Sequence, residues 1–279
     1  MTETQIEFRK KREIGDIFTD SLKFLKAERK PLTRLMGIYA LPFIILYGVV
    51  HVYLQKTILS KVDFTDIDKM MTDLGPLFLN IFLFYLFQVF IQALVIATFY
   101  TYIEAYVKKG KGGFELSDIT PHLFNNGLLA IGASLVINVI VIFGLILCIL
   151  PGIYFASTLS PAIIILLFER KGIAAAFSRS AFLVNQQWWN TLLINIVGLI
   201  IIYAVGLILS IPASLAGLTL TLTNEGTTPA NYPDWYWVLS GFSTIVSSVC
   251  YIIPYTFIAL QYFNLDEMTR SQGTSNLQV

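Results

Sequence analysis

Charge is scarce in this sequence. Asp, Glu, Lys and Arg make up 13% of its 279 residues, and apolar residues make up 56%. Soluble domains carry nearer a quarter charged residues, so the composition excludes an ordinary soluble fold. Histidine is scarcer still, with only His51 and His122. They fall at segment ends expected on opposite membrane faces, so they cannot share a metal. Cys148 and Cys250 both lie inside apolar runs, where cysteine acts as a small hydrophobe. Two such thiols give neither a disulfide framework nor a zinc pattern. A net charge of +1 provides no basic footprint for nucleic acid. The stretch "KKGKGG" at Lys108 to Gly113 lacks the spacing of a phosphate-cradling loop. Ser, His and Asp fall in no triad-like arrangement. No catalytic residue, cofactor or metal is therefore expected, and the chain reads as a non-enzyme.

Long apolar runs dominate what is present. A helix needs about 20 apolar residues to cross roughly 30 Å of hydrocarbon. Six runs meet or approach that length: 35–54, 77–102, 128–150, 153–168, 192–211 and 237–262. Tyr and Trp sit near many of their ends, as at Tyr102, Trp188, Trp189 and Trp235, where membrane interfaces favour them. The expected fold class is all-α, a polytopic membrane protein whose six transmembrane helices form three hairpins. Between the third and fourth runs lies only "LPGIY", and Pro151-Gly152 is read as a tight turn. The first 30 residues are polar or amphipathic and the first apolar run starts near Leu35, so no cleavable signal peptide is expected and the first membrane helix is retained.

Orientation follows from the cations. Sixteen of the 19 Lys and Arg fall in the N-terminal segment, in the loops after spans two and four, and in the C-terminal tail. Lys56, Lys61 and Lys69 make up the other side. This positive-inside bias places both termini in the cytoplasm and predicts a multi-pass protein of the bacterial inner membrane.

The polar segments before spans one, three and five share a pattern. Ile14, Ile17, Phe18, Ser21, Leu22 and Leu25 fall on one helical face, opposite Glu13, Asp16, Asp20, Lys23 and Lys26. A shift of 159 residues brings Phe18 onto Phe177 and Ser21 onto Ser180; a shift of 102 aligns Leu116 and Ile119 less fully. Such helices lie in the membrane interface. The chain thus reads as a single membrane domain over 1–264. It is built from repeat units 13–104, 115–169 and 172–264, each a cytoplasmic amphipathic helix followed by two spans. A polar tail follows at 265–279.

Few polar residues interrupt the spans. From Pro76 to Glu104 is roughly 43 Å at about 1.5 Å per residue, more than the hydrocarbon is thick. Glu104 is therefore expected among the headgroups, paired with Arg34, Arg170 or Arg179. Glu169 is placed to pair with Arg179. Gln88 and Gln92 stand at i and i+4 on one face of span two. With Asn195 they are expected to hydrogen-bond between helices.

The stretch Leu150 to Gly172, "LPGIYFASTLSPAIIILLFERKG", leads into "AAFSRSAFLVNQQWWNTL". Together with the opening "IGDIFTDSLKFLKAERKPL" it resembles the bacterial YciC-like family. That family also takes in the membrane domain of some glycerophosphodiester phosphodiesterases. The resemblance spans essentially the whole chain and implies a membrane domain without a catalytic barrel of its own. The expected function is that of a non-catalytic scaffold, assembly or regulatory subunit at the cytoplasmic membrane interface. Its partners would be membrane lipids, and protein partners or a second copy of the chain, with no nucleic acid. The alternative is a transporter, channel or lipid-handling protein.

Overall fold

The computed structural model describes residues 6–57, 67–222 and 232–275. Among these the chain forms eleven helices and no strand. Five segments are long and apolar enough to cross a membrane: Gly75–Lys109, Leu116–Leu147, Ile149–Glu169, Trp188–Pro212 and Asp234–Gln272. A sixth arises if α2 (Arg29–Tyr39) and α3 (Leu41–Thr57) count as one span broken at Ala40. The protein is an all-α polytopic membrane protein.

Two elements differ from expectation near the middle of the chain. The reversal after span three comes at Cys148, whose backbone is extended (φ −171°, ψ 147°) between α5 (Leu116–Leu147) and α6 (Ile149–Leu159). Pro151 and Gly152 instead belong to the first turn of α6. Proline costs little there, because first-turn N–H groups have no intrahelical acceptor. Gly152 lies against α5, where a Cβ would come within 2.4 Å of the Leu145 side chain and 2.8 Å of its backbone nitrogen. The pair therefore builds a close helix crossing rather than the turn itself. The second amphipathic segment is also not a separate helix. It runs without a break into span three as α5, with Pro121 inside.

α1 (Ile14–Ala27), α5 and α8 (Ile173–Asn185) start at the offsets of 102 and 159 residues that align their sequences. α1 buries Ile17, Ser21 and Phe24, and α8 buries Ala176, Ser180 and Leu183 at the matching positions. The sequence pattern missed Phe24 and overvalued Leu22, which is exposed.

The chain splits into two compact units. Unit 1 comprises Met1–Ala40, Ala93–Ile200 and Ile252–Val279. At its centre is α7 (Ala162–Glu169), with Ile163 to Leu167 all buried. In the same unit Phe99, Tyr100 and Ile103 of α4 (Ile67–Lys109) and Phe257, Leu260 and Phe263 of α11 (Ile252–Ser275) are buried, and Phe168 of α7 meets Phe263 edge-on at 5.1 Å. Residues 265–275 thus continue α11 instead of starting a polar tail, because Leu265 and Asp266 are buried in unit 1.

Unit 2 comprises Leu41–Gln92 and Ile201–Tyr251. Here α3 crosses α10 (Asp234–Cys250) at Gly48 and Gly241, where a Cβ would meet Ile245 at 2.7 Å and Val52 at 2.8 Å. Small residues let membrane helices approach this closely. The sequence of loop five, 221–237, reads as an ordered outer cap, and 223–231 of it lie outside the described residues.

Candidate functional site

Unit 1 gathers the charges. Glu104 in α4 is buried and accepts two bonds from one Arg170 nitrogen, at 2.9 and 2.8 Å. Lys108, one turn on, donates to it at 2.7 Å. Arg170 also donates to Asn126 at 2.7 Å, and Asn126 donates to Thr101 at 2.8 Å. Arg170 ends α7 in the left-handed region (φ 52°), and no other non-glycine among the described residues has a positive φ. That conformation costs a side-chain-bearing residue roughly 1–2 kcal/mol, which the charge-assisted pair with Glu104 offsets.

A second cluster surrounds Asp266, which is 2% exposed. Arg179 of α8 reaches it at 2.8 Å, Arg270 at 2.9 Å and Arg9 at 3.5 Å. Arg179 also approaches Glu169 at 3.4 Å, and Glu169 holds Lys171 at 2.6 Å and accepts from the Tyr262 hydroxyl at 3.2 Å. Arg12 is buried before α1 and donates to Asp20 at 3.1 Å, while its backbone N–H donates to Asn264 at 2.7 Å. Partial burial pushes the Asp20 carboxyl up, but the Arg12 and Lys23 cations outweigh it and hold the group below its ordinary value. These contacts tie both amphipathic helices to the spans of unit 1. Such a buried charge is tolerable only when paired and hydrogen-bonded.

Beside this network, the corner between α1 and α2 opens a cavity of about 1290 Å³. Lys26, Arg29, Lys30 and Arg34 line it. Among the described residues none of these four has a carboxylate partner. Glu28 lies at its floor, nearly buried, accepting from Tyr102 at 2.6 Å and facing Lys111 at 3.7 Å. Its charge is thereby compensated, and the cavity keeps a cationic excess.

Unit 2 is built on the opposite chemistry. A cavity of about 330 Å³ is lined by pairs one turn apart on four helices. Tyr47 and His51 come from α3, and Gln88 and Gln92 from α4. Ser210 and Ser214 come from α9 (Trp188–Leu222), and α10 adds Ser240, Thr244 and Ser248. Among the described residues no Asp, Glu, Lys or Arg lines it. His51 Nδ1 lies 3.1 Å from the Thr244 hydroxyl.

Of the positions singled out from sequence, Glu104, Glu169, Arg170 and Arg179 all enter the unit 1 network. Gln88 and Gln92 line the unit 2 cavity. Asn195 stands apart in unit 1, donating to Ser160 at 3.1 Å. Pro151 and Gly152 serve packing. Sequence reasoning missed Asp266, Glu28, Asn126 and the serines of α10. The spacing of Ser240, Thr244 and Ser248 is the one signal that could have found the last group. Among the described residues no three His, Cys, Asp or Glu side chains stand together as a metal site. Comparison with family models, with curated proteins and with solved structures finds no match to this chain.

Proposed function

We propose that this chain is a non-catalytic membrane protein of the bacterial inner membrane, a scaffold, assembly or regulatory subunit working at the cytoplasmic interface with both termini cytoplasmic. The ligand proposed there is the anionic lipid headgroup. One observation carries the reading: four cations without carboxylate partners among the described residues line the α1–α2 cavity, where the chain enters its first span. Anionic lipids attract each cation near the surface by about 1 kcal/mol. The placement of 16 of the 19 Lys and Arg on one predicted side supports the orientation. Protein partners or a second copy of the chain would then dock on a collar fixed by the ion pairs.

The test is lipid retention. Purified protein is equilibrated with vesicles of phosphatidylglycerol or phosphatidylcholine and examined by native mass spectrometry. The parent should keep phosphatidylglycerol selectively. The Lys26→Glu/Lys30→Glu/Arg34→Glu variant should lose at least tenfold of that retention, from about 1 kcal/mol per cation. Equal retention by both proteins would reject the reading. The alternative, a transporter or channel, is favoured by the neutral cavity of unit 2.

A further inference from the structure

The unit 2 cavity poses a question that the charged network does not answer. Membrane helices have no need of a polar face for stability, because lipid rewards apolar side chains. A serine or threonine can hide its donor by bonding its own helix backbone. Ser243, Thr244 and Ser248 do so to the carbonyls of Leu239, Ser240 and Thr244, at 2.9, 3.0 and 2.8 Å. Their hydroxyl oxygens keep lone pairs for other donors. Gln88, Ser214 and Ser247 also line the cavity, and among the described residues they have no hydrogen-bond partner. Polar groups converge here from four helices. Gln92 lies midway along the Gly75–Lys109 span, so the cavity reaches the depth at which membrane proteins bind solutes.

The lining selects by charge and by hydrogen bonding. With no Asp, Glu, Lys or Arg among its described lining residues, an ion would enter the low-dielectric interior uncompensated, at a cost of several kcal/mol. An uncharged ligand avoids that cost. Acceptor-rich hydroxyls and two amides suit a ligand rich in O–H donors. The three tyrosines Tyr47, Tyr236 and Tyr251 add flat faces against which the C–H surface of a polyol packs. The volume, about 330 Å³, sits at the small end of ligand pockets, which run from roughly 300 to 1,000 Å³.

We infer that this cavity is a binding site for a small uncharged polyol, of glycerol to monosaccharide size. The inference deepens the transporter or channel reading, since it names the solute class. It is independent of lipid binding at the α1–α2 corner, which involves none of these residues.

The test is cysteine protection in the full chain. On a Cys148→Ser/Cys250→Ser background, Ser247→Cys and, separately, Ser214→Cys report the cavity from two helices. Val238→Cys, on an exposed face of α10, is the control. Purified protein in lipid nanodiscs is treated with a water-soluble maleimide, alone or with glycerol, sorbitol, glucose or gluconate at equal osmolality. At least one uncharged polyol should slow alkylation of both cavity cysteines fivefold or more. Gluconate should not, and Val238→Cys should respond to none of them. Failure of both cavity cysteines to react would mean a dry cavity and overturn the inference. So would reaction without protection, or equal protection by glucose and gluconate. If one variant does not elute as folded protein, the other decides. Loss of lipid selectivity in the charge-reversed variant has no bearing on this outcome.

Discussion

Arg170 carries two roles that usually fall to different residues. It ends a helix in the left-handed conformation, φ 52°, where glycine is the ordinary choice. It also closes the ion pair with buried Glu104, one nitrogen donating to both carboxylate oxygens. The two roles can be separated by substitution. Arg170→Ala loses the pair and keeps the strain, whereas Arg170→Gly loses the pair and sheds the strain. The glycine variant should therefore be the more stable of the two by about 1 kcal/mol, with both below the parent. Thermal unfolding of the three purified proteins in one detergent reads this directly, and an alanine variant as stable as the glycine one would remove the claim of strain. Glu104 and Arg170 were legible in the sequence because the length of span two carries Glu104 out to the headgroups, within reach of several arginines. Which arginine it takes was not legible, since three were candidates. Asp266 was not legible at all. It lies in a stretch that reads as a polar tail, and its partners Arg9 and Arg179 are 257 and 87 residues away.

At the scale of the helix, the apolar runs were read correctly because a membrane span needs only length and hydropathy. The boundaries between runs depend on packing. Pro151-Gly152 has the composition of a turn, yet the contact with Leu145 makes the glycine a packing residue. Gly152→Ala should accordingly cost about 1–3 kcal/mol, as overpacking does. The Leu145 side chain can turn away, but its backbone nitrogen, 2.8 Å from the new Cβ, cannot. Gly206→Ala is the matched control, with nothing within 4 Å of its Cβ, and it should be neutral or slightly stabilising. Equal melting shifts for the two variants would place the crossing elsewhere. The polar faces of the unit 2 helices escaped notice for another reason. Serine pairs barely lower the mean hydropathy of a span, and only their spacing on several helices at once marks a shared cavity.

At the scale of the whole molecule, chemistry divides with the two units. Unit 1 holds the charged network that binds its amphipathic helices to its spans. Unit 2 holds a cavity with no charged side chain among its described lining residues. The proposed role at the interface needs the charged network, and the α1–α2 cavity beside it, to face the cytoplasm. Orientation in the membrane is thus the claim on which the functional account stands. Reporter fusions read it most directly. Fusions after Lys111 and Gly172 should report the cytoplasm, and fusions after Asp63 and Asn224 the opposite side. A cytoplasmic signal after Asn224, or an external one after Lys111, would contradict the account.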